Sequence, residues 1–323
     1  MKSRLYIATN GLGVWYSDDL GENLIRMNSR AGMYSGNHIW ALASDPSDPN
    51  IIWAGTNGGL FSLDQANMRW SQLPSPMDDR HKITAIAFNP KNPDVVLAGT
   101  QFAAMYRSQD HGRTWRQLDL DIPEICSNKN QSRFTQIIFD TDDPRLAWAG
   151  VELDYVWRST DSGVTWQKIT KGIETEDIHG LCVSNADRRR RLLAATDRGI
   201  YISDDDGESW EKGNVDLPSE YTRAVVPRAD QRGIVFLTNG DGPPGSWGRL
   251  MRSRDNGGHW EQVSLPGQVD STMWSVATHP ADANLVFASS CLGQIYRSGD
   301  GGESWTGIKR RLGEIRHVTW LPV

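Results

Sequence analysis

The sequence predicts an all-β fold, a seven-bladed β-propeller with four antiparallel strands per blade, and three observations carry that expectation. A polar box of the form S-x-D-x-G-x-T-W recurs along the chain, short apolar runs of strand type separate its copies, and the two chain ends supply complementary parts of one repeat. A fixed period of roughly 20–50 residues is the mark of a repeat architecture.

The box is clearest from Arg107 ("RSQDHGRTW"), Arg158 ("RSTDSGVTW"), Ile202 ("ISDDDGESW"), Arg252 ("RSRDNGGHW") and Arg297 ("RSGDGGESW"). Two weaker copies start at Tyr16, with Leu24 in place of the tryptophan, and at Phe61, with Ala66 for the glycine and one extra residue before Trp70. Their serines, Ser17, Ser62, Ser108, Ser159, Ser203, Ser253 and Ser298, lie 45, 46, 51, 44, 50 and 45 residues apart. Chemistry repeated around a ring is structural chemistry, so Ser159, Asp161 and Thr165 are read as a turn. In it the aspartate is expected to accept from backbone N–H groups one and two residues on, the glycine to take a positive φ, and the tryptophan to plug the joint between blades.

Four runs of strand type recur between boxes. The first is of the kind "HIWALASDP" at His38, the second "NIIWAGTN" at Asn50, the third "GIYIS" just before a box, and a short fourth begins at the box tryptophan, as in "WQKI". Each is rich in β-branched and aromatic residues and bounded by Asp, Asn, Pro or Gly. The N-terminus supplies the second, third and fourth runs of a blade that lacks its first; Ile315 to Pro322 supply a first run with nothing after it. Joined, they complete the seventh blade and remove the open sheet edges of a linear array. The repeat fills the chain, so residues 1–323 are expected to form one domain.

Composition bounds the function. No stretch reaches the 18 or so apolar residues of a membrane helix, and the start has no signal-peptide pattern, from which a cytoplasmic location is expected. A net charge of −6 excludes a broad basic face for nucleic acid. The one basic run, Arg188 to Arg191, falls in a turn and is expected to be a solvated loop. Cys126, Cys182 and Cys291 are widely spaced and are expected to be reduced and packed.

The boxes at Ser108, Ser159, Ser203, Ser253 and Ser298 resemble Asp-box repeats, also called bacterial neuraminidase repeats. These occur in sialidases, xyloglucan-degrading glycosidases, sortilin-type receptors and seven-bladed photosystem II assembly factors. The resemblance implies the propeller and is poor at fixing an activity. The "FRIP"-like arginine motif of sialidases is missing from this chain, so sialidase activity is not predicted.

A site is expected at the end of the ring opposite the boxes, where two insertions collect: Leu118 to Arg133 between blades, and Asn239 to Arg249 between second and third strands. Ends of second strands bring Asn57, Glu152 and Asp197 there; starts of innermost strands bring His38, His81, Arg133, Glu176, Asp177, His179, Tyr221, Arg223, Arg316 and His317. Asp177 and His179, two apart on one strand, form a candidate carboxylate–imidazole general base, with Glu176 or Glu152 as acid partner. Arg133, Arg223 and Arg316 would hold an anionic group, with His38, His81, His317, Tyr221, Asn57 and Asp197 as further binding residues. A divalent metal, zinc or manganese by ligand type, is allowed for on the histidines with Glu152, Glu176 or Asp177. Trp40 and Trp274 are expected to face neighbouring blades. The function expected is that of a hydrolase or lyase on a small polar, anionic or sugar-like molecule; the alternative is a non-catalytic scaffold for a protein or peptide.

Overall fold

A computed structural model describes residues 2–77, 81–123, 131–186 and 189–323. Its strands, numbered β1 to β28 in chain order, form seven four-stranded antiparallel sheets, the blades of a seven-bladed propeller. The innermost strands are β4 (Ile39–Ser44), β8 (Ile83–Phe88), β12 (Arg133–Phe139), β16 (Ile178–Ser184), β20 (Thr222–Pro227), β24 (Met273–Ala277) and β28 (Ile315–Pro322). They define blades 1 to 7 in that order.

Blade 7 is closed as the sequence requires. β28 pairs antiparallel with β1 (Ser3–Thr9), from Pro322 opposite Ser3 to Ile315 opposite Thr9. Its core residue Trp320 is buried with Leu5, Ile7 and Phe287, which joins the C-terminal strand to both the first strand of the chain and blade 6. Burial of side chains this large contributes about 2–3 kcal/mol each.

The boxes connect third and fourth strands and act as joints. Ser159 Oγ accepts from the Gly163 N–H (2.9 Å), and Asp161 accepts from the Thr165 N–H (2.9 Å) and hydroxyl (2.6 Å). The same pattern recurs at Asp19, Asp110, Asp205, Asp255 and Asp300. The carboxylate therefore reaches three and four residues on rather than the one or two expected, because two of the three residues between carry the turn in left-handed backbone: Ser162 has φ 61° and Gly163 φ 78°. Glycine is demanded there twice over. A Cβ at Gly207 would come within 2.7 Å of Trp148 of the preceding blade, and one at Gly112 within 2.4 Å of Trp53. The box tryptophans fill the same joints, Trp210 packing with Trp148 and Leu192, and Trp260 with Leu193 and Val235.

The arginine run is not a free solvated loop. Arg189 and Arg191 pair with Asp204 (2.8 and 2.7 Å), and Arg190 bridges Asp140 and Asp206 (2.6 Å each). The Asp140 carboxylate belongs to blade 3 and is fully buried; a buried charge needs a counter-ion, and blade 4 supplies it. Arg188 lies outside the described residues, as does Cys126; Cys182 and Cys291 are free and buried.

Hydrogen bonds from the Thr114 and Ser304 hydroxyls and N–H groups hold the box carboxyls of Asp110 and Asp300 down at about 2. The unfolded value is about 3.9, so their contribution is complete above that pH and is lost as pH falls towards 2. The melting temperature should be flat above about pH 5 and fall steeply between about 4 and 2; in Asp300→Asn the acid limb should be shallower, as measured by circular dichroism.

Candidate functional site

Each innermost strand carries one residue too many for its partner. The register slips by one between Ile39 and Ala41, Ile83 and Ala85, Phe134 and Gln136, Ile178 and Gly180, Thr222 and Val225, Met273 and Ser275, and across Arg316. Such a bulge breaks the in–out alternation and re-aims a side chain. Around the ring the bulged positions are Trp40, Thr84, Thr135, His179, Arg223, Trp274 and Arg316, and all seven line one cavity of about 270 Å³ in the channel.

Four consecutive blades, 5, 6, 7 and 1, set cations and aromatic rings alternately. The Arg223 guanidinium lies 4.3 Å from the Trp274 ring centre; Arg316 lies 5.6 Å from Trp274 and 4.5 Å from Trp40; Arg133, one step nearer the mouth, lies 5.5 Å from Trp40. Cation–π attraction of this kind contributes about 1–2 kcal/mol where water is excluded. Trp40 and Trp274 thus face the channel, contrary to expectation, because the bulge turns them inward. Arg133 also pairs with Glu152, and Arg316 with Glu314. Burial lowers the pKa of Arg133 and of Arg316, and the neighbouring guanidiniums lower both further.

Beside this ladder stands an acid–imidazole cluster. The His179 side chain is 2% exposed; its Nδ1 lies 2.6 Å from the Thr222 carbonyl and its Nε2 3.3 Å from Asp177. A carbonyl only accepts, so Nδ1 is the donor in the contact with Thr222. Burial raises the Asp177 pKa, but the hydrogen bond and charge of His179, with Arg223 and Arg133, outweigh it and hold the carboxyl below its ordinary value. Glu152, Asp177 and His179 each offer one atom within 4.8 Å of the others. Two carboxylates and an imidazole suit a divalent cation, yet Arg133 already occupies Glu152 and a metal would have to displace it.

The remaining candidates divide. Tyr221 joins the cluster, its ring 4.7 Å from that of His179, with its phenol pKa raised by burial. His317 lines the cavity one residue past the bulge, and burial pulls it down to about 4, so it is neutral at pH 7. Asn57 accepts from the His38 N–H (2.9 Å) and Asp197 from the Thr175 hydroxyl (2.6 Å), both being spent on turns. His38 is exposed, His81 stands edge-on to Tyr106 of its own blade, and Glu176 contributes its carbonyl to Tyr155; none lines the cavity. The 239–249 insertion closes on itself through Asp241 and Ser246 and receives the Thr272 N–H at Pro244. The other insertion includes residues 124–130, outside those described. Besides the tryptophans, Thr84 and Thr135 were missed; the signal was the column that the bulge occupies in the aligned first runs.

Comparison with known proteins agrees with this architecture. A profile of the sortilin (neurotensin receptor 3) family matches residues 154–242. A xyloglucanase of Paenibacillus sp. is 26% identical, with 95% of this chain aligned to 30% of that protein. The photosystem II assembly lipoprotein Ycf48 of Synechococcus sp. (strain CC9902) is 29% identical over 49% of this chain and 45% of its own. Among solved structures, the GH74 enzyme of Niastella koreensis superposes with a TM-score of 0.67 at 18% identity, covering 83% of this chain and 45% of that one. Ycf48 bound to D1 peptide superposes with a TM-score of 0.58 at 19% identity, covering 83% and 80%. The chain spans about a third of the length of the xyloglucanases it matches. It is a seven-bladed propeller related in sequence to xyloglucanase and Ycf48 propellers.

Removing His179 strands a half-buried carboxylate. His179→Ala should cost about 3 kcal/mol in urea unfolding, and Asp177→Asn added to it should restore most of the loss.

Proposed function

We propose that this propeller binds an anionic ligand at its channel mouth through Arg133, Arg223 and Arg316. The observation that carries the reading is the convergence of three guanidiniums on one cavity, where the neighbouring arginines help to lower the pKa of Arg133 and of Arg316. Like charges gathered in a confined space are costly unless something of opposite sign joins them. The nearest acids, Glu152, Asp177 and Glu314, do so only in part, being tied to Arg133, His179 and Arg316.

A second reading, hydrolysis of a sugar-like substrate, is favoured by the alignment with a xyloglucanase along 95% of this chain and by the closeness of Glu152 to Asp177. Acid catalysis of glycosidic cleavage needs one carboxyl with a raised pKa. Asp177 is lowered instead, which supports binding over bond cleavage; lyase chemistry needs a free base, and both ring nitrogens of His179 are engaged, by the Thr222 carbonyl and by Asp177. A protein or peptide supplying the anion stays within the proposal, since a related fold has been solved with a bound peptide.

The test is thermal melting in acetate, sulfate and phosphate at constant ionic strength, with Arg133→Gln/Arg316→Gln as reference. At least one anion should raise the wild-type midpoint by roughly 2 °C or more relative to the double variant; equal shifts in both proteins for every anion would refute anion binding. Release of reducing ends from xyloglucan, abolished by Glu152→Gln, would establish the second reading in its place.

A further inference from the structure

Resting on the anion-binding reading, we propose that Arg223, positioned by Trp274, anchors a ligand through a single planar carboxylate. The three arginines are not equivalent. Arg133 is paired with Glu152 and Arg316 with Glu314, whereas Arg223 makes no hydrogen bond or ion pair to a protein acceptor among the described residues. Besides the charge of the nearby Asp177, its support is the face of Trp274, 4.3 Å away and itself 5% exposed. An aromatic face holds a guanidinium by its quadrupole and consumes none of its N–H donors, so the donor fork stays free for a ligand. Arg223 is also the bulged residue of β20, which aims it into the cavity.

Charge fixes the class of ligand. Arg133 with Glu152 and Arg316 with Glu314 form two ion pairs and Asp177 lies against His179, which leaves Arg223 the one guanidinium of the three without a paired carboxylate among the described residues. His317 is neutral and adds nothing. Glu220 is cancelled by Lys212 outside the cavity. A singly charged carboxylate completes the balance and matches the planar fork two bonds at a time. A dianion such as sulfate overshoots by one charge in a channel where an unpaired charge is costly.

The experiment observes the carboxylate resonance of 13C-acetate by NMR at constant ionic strength. Wild-type protein should broaden it, sulfate should displace acetate about tenfold less well than unlabelled acetate, and Arg223→Gln should weaken binding about tenfold. Trp274→Ala should weaken acetate binding while Trp274→Phe retains it, since a phenyl face still supports the guanidinium; this pair decides the matter if Arg223→Gln does not fold. Displacement by sulfate as effective as by acetate would overturn the single-carboxylate assignment and leave anion binding standing. Undiminished broadening with Arg223→Gln, or equal binding by the two Trp274 variants, would overturn the anchor. No broadening by wild type, together with the absence of any anion-dependent melting shift, would remove both readings.

Discussion

The ladder between β28 and β1 is the constraint on which the rest depends. It turns a linear array of sheets into a ring, and a ring has one channel and two distinct ends. It also carries part of the site: Arg316 reaches its place between Trp274 and Trp40 only because the last strand of the chain lies beside the first. Asn10 fastens the same corner twice, its side chain donating to the Glu314 carboxylate (2.7 Å) and its N–H to the Glu314 carbonyl (2.8 Å). Structure and site therefore share their closing contact.

Given the ring, the bulges decide what the channel contains. A regular innermost strand would alternate its side chains between the two neighbouring blades; one extra residue breaks that alternation and frees a position to face the axis. The partner strand often yields room with a small residue. Gly55, Gly99 and Gly150 lie opposite the slip in blades 1 to 3, and a Cβ at these positions would press on Ile83, Phe134 and Ile178 of the next blade, at 2.7, 2.4 and 2.8 Å. Tight blade packing and an inward-facing side chain are thus two results of one local irregularity.

Much of this was legible in the sequence. The box period carries the blade count and the complementary chain ends carry the closure, and the structure brings Arg133, Arg223, Arg316, Asp177 and His179 close to one another. What could not be read was direction. Trp40 and Trp274 occupy corresponding places in their repeats and are expected to face neighbouring blades, but a single inserted residue reverses a side chain's direction without any change in local composition. Asn57 and Asp197 looked equally suited to a site, but polar residues at strand ends are also the natural acceptors for turn N–H and hydroxyl groups, and those took them. The aspartate of the box was placed in the right turn with the wrong reach, since two left-handed residues in succession carry the chain to a donor four positions on.

The contrast between the arginines is what supports the proposed anion site. A carboxylate partner stabilises a buried guanidinium but uses its donors, whereas a tryptophan face stabilises it and leaves them unspent. Arg133 and Arg316 receive both kinds of support, each with a paired acid and a ring; Arg223 has the ring and no paired acid among the described residues. If every arginine were paired with an acid, the channel would be a neutral wall. With three unpaired, their mutual repulsion would be severe at this depth. Two neutralised cations beside one without a paired acid keep the repulsion tolerable while leaving a donor fork free, and Thr84, Thr135 and His179 on the remaining bulges give the ring a chemically different side.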